Sequence, residues 1–201
     1  AEKAVLDNES STLTLSGTPA LKRFNDKGQL LTRTDASSII IGIGDYLMEA
    51  SGPVLSIFEL EGTAGSITAG NMRTEDGTEW IIYTGRPLLS YGENKIESNN
   101  LKISSNLKGF VASGSVTSQF VMIKEEKAVL NQVTANSLEI DSTNKKALFS
   151  GDVVATTEGW TIRAPTVELY FEGSNLEMLN RVHSTGGIEI EGGNRSAKGD
   201  T

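Results

Sequence analysis

The 201-residue sequence contains no cysteine. Disulfide frameworks, thiolate zinc sites and cysteine nucleophiles are therefore excluded. The compartment stays open, because an oxidising one permits disulfides without requiring them. Histidine occurs once, at His183. It has no second histidine to share a metal with, and no Ser-His-Asp set is suggested by spacing. Long apolar runs are also lacking. Phe120-Val121-Met122-Ile123 is typical, whereas a membrane-spanning helix needs roughly 20 consecutive apolar residues. Positive charge is in deficit, with 18 Lys plus Arg against 26 Asp plus Glu, a net charge of -8. A general nucleic-acid binder needs a basic surface that displaces counterions from phosphate, so this balance argues against one. It argues equally against electrostatic docking on an anionic membrane.

Proline is scarce at 4 residues, while glycine is abundant at 21. Thr, Ser, Ile and Val are common, and Leu/Ala/Glu/Lys stretches at helical spacing are missing. This is a composition of short strands joined by tight turns. The chain is long enough for one well-filled core and short for two complete domains, so a single domain over 1–201 is expected. No leader-like segment is visible. The chain reads as a mature product or as a segment of a longer stack.

What is present in quantity is a repeat. One element centres on a glycine at Gly17, Gly52, Gly85, Gly114, Gly151 and Gly186, at intervals of 35, 33, 29, 37 and 35 residues. Two residues after each glycine stand Pro19, Val54, Pro87, Val116, Val153 and Ile188, all apolar. Two residues before stand Leu15, Ala50, Tyr83, Ala112, Phe149 and Ser184. Residues two apart share a strand face, so each copy predicts a strand with an apolar face and a glycine in the middle of it. Glycine weakens a strand interior, and its recurrence points to a bend, a bulge or close approach of another layer.

A second element follows each of the first five glycines. Its copies are TRTDASSI from Thr32, ITAGNMRT from Ile67, IESNNLKI from Ile96, VTANSLEI from Val133 and IRAPTVEL from Ile162. The third position is small (Thr34, Ala69, Ser98, Ala135, Ala164) and the fourth is a turn or bulge former (Asp35, Gly70, Asn99, Asn136, Pro165). The apolar alternation then resumes shifted by one, which predicts a bulge at the fourth position. AEKAVLD at the start and SAKGDT at the end fall in the same phase. The irregular stretch 119–132 is expected to extend a hairpin through a turn at Lys124–Lys127. Roughly a dozen short strands of this kind suit two antiparallel sheets folded into a V-shaped, repeat-built stack with apolar faces inward. A polysaccharide-lyase type of parallel β-helix is the competitor. It uses shorter rungs and stacked Asn or aromatic ladders, which are not found.

The block from Leu138 to Glu191 carries a family resemblance. LEIDSTNKKALFSGDVVATTEGWTIRAPTVELYFEG, followed by TGGIEIEGG, resembles the OstA-like repeat of lipopolysaccharide transport. Phe149, Gly151 and Val153 match its F-x-G-x-V part; Thr161, Ile162, Ala164, Val167 and Leu169 match its T-I-x-A-D-x-V-x-L part. Pro165 stands where the family usually has Asp. The copies before Ser137 match more weakly. The resemblance implies an all-β protein with the OstA-like β-jellyroll shared by LptA, the periplasmic part of LptC and the N-terminal domain of LptD. It implies a periplasmic protein of a Gram-negative-type bacterium, membrane-associated only through partners or flanking segments. Such a protein carries lipid A acyl chains of lipopolysaccharide in an apolar groove between inner and outer membranes. Implied partners are lipopolysaccharide and other Lpt jellyroll proteins, or a second copy, paired strand to strand at the ends. No cofactor, no nucleic acid and no catalysis are implied.

The groove candidates are the inward residues Leu15, Leu21, Val54, Leu89, Phe110, Val116, Phe149, Val153, Ile162, Val167, Leu169, Phe171, Ile188 and Ile190. Each can equally be plain core, since a lipid groove is a core that opens. Solvated faces and turns account for the acidic pairs Glu59/Glu61, Glu75/Asp76, Glu125/Glu126 and Glu189/Glu191 better than glycosidase carboxylates do. Lys22-Arg23 and Lys145-Lys146 read as soluble turns before they read as phosphate contacts. Trp80 and Trp160 are expected to pack at sheet corners. Two other function classes remain: a structural β-repeat protein that assembles end to end without carrying lipid, and a polysaccharide-active enzyme. The latter needs carboxylates converging in a cleft.

Overall fold

The structure is a computed structural model that describes residues 1–24, 27–44, 47–60, 62–75, 79–124, 127–157, 159–172, 178–192 and 195–199. Among them the chain is all strand and turn: eighteen strands, no helix, and antiparallel pairing throughout the registers below. Contacts gather into two compact units.

The first unit comprises Ala1–Gly92 and Asn100–Leu107. It holds β1 (Lys3–Asp7), β2 (Thr12–Ser16), β3 (Ala20–Phe24), β4 (Leu30–Asp35), β5 (Ser38–Gly42), β6 (Met48–Leu60), β7 (Thr63–Glu75), β8 (Trp80–Thr84) and β9 (Leu88–Tyr91). The second comprises Glu93–Asn99 and Lys108–Thr201. It begins with β10 (Asn94–Glu97), after which β11 (Asn100–Ser104) returns to the first unit and pairs with β8. The second unit continues with β12 (Gly109–Lys124), β13 (Lys127–Asp141), β14 (Lys146–Thr157), β15 (Trp160–Glu172), β16 (Met178–Thr185), β17 (Ile188–Gly192) and β18 (Arg195–Gly199). The expected dozen short strands are thus six long ones (β6, β7 and β12 to β15), each running through the repeat's irregular point, with shorter strands beside them.

That irregular point is a bulge, and its extra residue lies on the glycine strand. Between β14 and β15, Ser150 faces Thr166 and Val153 faces Ala164. Gly151 and Asp152 therefore oppose Pro165 alone. The same two-against-one count recurs where Gly52-Pro53 oppose Gly70 and Gly114-Ser115 oppose Asn136. The fourth position of the second element is thus the single residue across from the bulge, which corrects the expectation that it is itself bulged. The reason is conformational. All six repeat glycines have positive φ, and in four copies the following residue does too, at Arg86, Ser115, Asp152 and Gly187. A left-handed glycine on one strand is what lengthens it by a residue, as Gly52 does even ahead of Pro53.

The first copy of the second element is also displaced. Thr34 and Ala36 are buried and Ile39 is fully buried, matching Val133, Ala135 and Leu138 of the fourth copy. The element therefore starts at Thr34, not Thr32, and its fourth position is Ser37, against which a side chain on Gly52 would collide. TRTDASSI offers two small residues in succession, Thr34 and Ala36, and only the second takes the third position.

Turns close the hairpins with carboxylate caps. Asp141 Oδ1 accepts from the backbone N–H groups of Thr143 and Asn144 at 2.9 and 3.0 Å, and Asp7 Oδ1 accepts from that of Glu9 at 2.9 Å. These bonds hold both carboxyls below their ordinary range, through Asn144 chiefly for Asp141 and through the Ser10 hydroxyl first for Asp7. The 119–132 stretch extends a hairpin as expected, with register running from Gln119↔Gln132 to Lys124↔Lys127. Glu125 and Glu126 of the expected turn lie outside the described residues.

Candidate functional site

The repeat turns into ladders of inward residues. In the first unit one row runs Ala4–Leu15–Ile39–Ala50–Met72–Tyr83–Leu101 across seven strands. It alternates the residue two before each glycine with the sixth position of the second element. A second row runs Leu21–Thr34–Ser56–Ile67–Leu89. It alternates the residue four beyond each glycine with the first position of the second element.

The second unit repeats both rows. Ala112–Leu138–Phe149–Val167–Ser184 is the first kind. Ile96–Ser118–Val133–Ala155–Ile162–Ile190–Ala197 is the second. A third row, Phe110–Ile140–Ala147–Leu169–Val182, lies beside the first. Side chains stacked at the spacing of neighbouring strands, about 4.8 Å, make a mostly apolar surface in each unit, interrupted at Thr34–Ser56 in the first and at Ser118 and Ser184 in the second.

The candidates divide by unit and by burial. Leu15, Leu21, Val54 and Leu89 belong to the first unit; the other ten belong to the second. Val54, Leu89, Phe110, Val116, Phe149, Val153, Val167 and Leu169 are buried. Leu15, Leu21, Ile162, Phe171, Ile188 and Ile190 are half-buried. The half-buried members lie on β2, β3, β15 and β17, so the inward apolar surface is least covered on the first strands of one unit and the last strands of the other. Leu6, Phe24 and Leu30 extend the exposed apolar surface of the first unit, and Val182 that of the second.

Polar residues on the inward faces are absent from the sequence-derived candidates. Thr34, Ser56, Thr74, Ser98, Ser118 and Asn131 are all buried. In the first unit Tyr83 Oη donates to Ser56 Oγ at 3.0 Å, and Ser56 and Thr34 share a hydrogen bond at 2.8 Å. Burial pushes the Tyr83 phenol up to about 12, against a smaller downward pull from Ser56. A sequence signal exists. Ser56 and Ser118 stand four residues after their glycines, the position filled elsewhere by Leu21, Leu89, Ala155 and Ile190.

The outward faces carry ion pairs. Glu168 takes hydrogen bonds from Lys146 Nζ and Tyr170 Oη, each at 2.6 Å, and lies 3.5 Å from His183 Nδ1. Lys146 first and Tyr170 second pull the Glu168 carboxyl down to about 2. Arg181 caps the other side of this cluster, its guanidinium 4.1 Å from the centre of the Tyr170 ring. In the first unit Glu75 pairs with Lys102 at 2.7 Å, and Lys102 lies over the Trp80 ring. Glu189 pairs with Lys198 and Glu191 with Arg163. Glu75, Glu189 and Glu191 of the acidic pairs are therefore engaged in solvated ion pairs; Glu61 and Asp76 lie outside the described residues. Trp160 packs its ring on Gly192, across the strand pair. Among the described residues no group of three or more metal-ligating side chains comes together, and no helix is long and apolar enough to cross a membrane.

This architecture is that of an all-β, repeat-built jellyroll with apolar inward faces. Residues 132–201 match the family described as LptA/(LptD N-terminal domain) LPS transport protein. The OstA-like resemblance read from Leu138 to Glu191 falls within the matched segment. The chain is also similar in fold to LptH of Pseudomonas aeruginosa, described as the LptA-homologous periplasmic component of that organism's lipopolysaccharide transport device. The likeness covers 60% of this chain and 81% of that one, with a TM-score of 0.50 and 12% identity. No curated protein matches the chain in sequence.

Proposed function

We propose that the chain is a periplasmic lipopolysaccharide-transport protein that holds lipid A acyl chains against the inward apolar ladders. The observation that carries this reading is the family match of residues 132–201. The half-buried candidates support it, since apolar inward side chains left partly open favour an apolar ligand over water. Among the described residues the carboxylates of the ion pairs are solvated rather than converging in a cleft. Other jellyroll proteins of the same transport family, or a second copy, are the proposed protein partners. Strand pairing along the exposed β1, which pairs with β2 through all five of its residues, is a physically reasonable contact.

Photo-crosslinking tests the reading. A photoreactive residue at the half-buried Ile162 or Phe171 should capture lipopolysaccharide, and one at the outward Glu168 should not. Capture from Glu168 alone sinks the groove assignment. Native mass spectrometry of protein from its own host separates the two readings: bound lipid supports transport, and lipid-free oligomers support a purely structural assembly.

A further inference from the structure

At three of the six repeat glycines the strand runs through: β6 passes Gly52, β12 passes Gly114 and β14 passes Gly151. At the other three it breaks. Beyond Gly17 and Gly85 the chain is pinned by Pro19 and Pro87, both fully buried. Beyond Gly186 stands a second glycine, and φ is positive at both, 69° at Gly186 and 22° at Gly187. β16 ends just before this pair and β17 begins just after it. Two successive glycines make the freest joint a backbone can have.

The residue across from the joint loosens it further. Glu2, Ser37, Asn99 and Pro165 lie against Gly17, Gly52, Gly114 and Gly186 respectively. The first three tie their corners with a backbone N–H. Glu2 donates to the Ser16 carbonyl at 2.9 Å, Ser37 to that of Ser51 at 3.2 Å and Asn99 to that of Gly114 at 2.8 Å. Pro165 has no N–H to give. In its place the Thr166 hydroxyl reaches the Thr185 carbonyl at a long 3.5 Å. Past the joint, β17 faces β15 only from Arg163↔Glu189 to Trp160↔Gly192, and among the described residues β18 faces β17 alone. The row that these strands complete loses cover step by step: Val133 is buried, Ala155, Ile162 and Ile190 are half-buried, and Ala197 is exposed. At the far end of β17 the hold is the Trp160 ring on Gly192 and the solvated Arg163–Glu191 pair at 2.9 Å. An exposed ion pair of that kind contributes little.

We infer that β17 and β18 form a lid hinged at Gly186-Gly187, which opens from β15 as one body while β12 to β15 stay folded. Local opening of this kind is drawn from the parts of a structure with the fewest buried contacts. Opening uncovers Ile162 and the inward face of the second unit at this edge. Pro165 sets how readily the lid opens, because it removes the bond that ties the corresponding corner at Glu2, Ser37 and Asn99. The motion stands apart from the carrier role and does not depend on what the inward face holds.

Hydrogen exchange of the full chain, resolved by residue, tests the lid. The amides of Ile188–Gly192 should exchange well ahead of those of Val133 and Leu138 on β13. Pro165→Asn restores the donor that Asn99 supplies in its own copy. One backbone hydrogen bond corresponds to roughly five-fold slower exchange over β17, with β13 unchanged. A second variant acts at the other end of the lid. Thr161 and Glu191 face each other, and the chain has no cysteine of its own. Thr161→Cys with Glu191→Cys therefore offers a single cross-strand disulfide. Oxidation should slow β17 exchange, and reduction should release it. Exchange in β17 as slow as in β13 in the unaltered protein overturns the lid. Slowing that spreads equally to β13 in both variants reports global stability and overturns it too, as does no slowing in either. Slowing by the disulfide alone overturns the part assigned to Pro165.

Discussion

Asn136 lies directly against the backbone of Gly151: a β-carbon placed at 151 would come within 2.5 Å of the Asn136 carboxamide nitrogen. Gly151 also has φ of 80° and starts the bulge on β14. Its two constraints, handedness and space, act together. Gly151→Ala should therefore cost about 2–4 kcal/mol, the sum of left-handed strain and overpacking. Gly28 has a similar φ of 75°, but a β-carbon there would meet nothing within 4 Å. Gly28→Ala should cost only the strain, about 1 kcal/mol. Urea unfolding of the two variants measures the difference, and equal losses would show that the close approach to Asn136 is not limiting.

The Glu168 cluster predicts an acid-side dependence. Its carboxyl is pulled down to about 2 from 4.5 by Lys146 and then Tyr170. A depressed folded pKa means that its contribution is fully present above about 4.5 and is lost as pH falls toward 2. Glu168→Gln should flatten the fall of the urea midpoint over that window while leaving some slope, since Glu75, Asp141 and Glu189 are also held low. An unchanged slope would mean that the pairing has no energetic weight, the usual outcome for an exposed ion pair standing alone.

Tyr83 gives the alkaline counterpart. Burial raises its phenol to about 12 from 10. For an acid whose neutral form is the buried one, the folded state holds its proton more tightly. Its contribution is therefore complete below pH 10 and is lost as pH rises from 10 through 12. Absorbance titration of the four tyrosines should show one phenolate forming last. Tyr83→Phe should remove that late step and lower stability by about 1–2 kcal/mol, because Ser56 loses its donor.

Much of this fold is legible because the repeat imposes phase. Val54, Val116, Phe149, Val153 and Val167 are assigned inward by the repeat's phase, and all five are buried. The departures share a cause. Phase identifies which face a residue occupies and says nothing of where the extra residue of a bulge goes. That depends on which strand can adopt positive φ, and the repeat glycines decide it. The first copy is displaced because Ala36 and Ser37 mimic Thr34 and Asp35 in size and polarity. Ser56, Ser118 and Asn131 escape a search for inward positions among apolar residues, whereas a hydrogen-bonded partner such as Tyr83 makes a buried serine tolerable.

The inward apolar residues should separate into those that hold the fold and those free to bind. Phe149 is among the most completely buried side chains, in register with Leu138 on one side and Val167 on the other. Phe149→Ala removes a large packed ring and should cost about 3–5 kcal/mol. Phe171 is half-buried near the end of β15, next to a register break with β16. It has less area to lose, so Phe171→Ser should cost about 1–2 kcal/mol. If the partly open ladder binds acyl chains, that variant should bind an apolar dye several-fold more weakly while melting within a few degrees of the unaltered protein. Phe149→Ala should do the reverse, losing several degrees of melting temperature while its folded fraction keeps most of its dye affinity. Parallel loss of affinity and stability in both variants would mean that these side chains serve only as core.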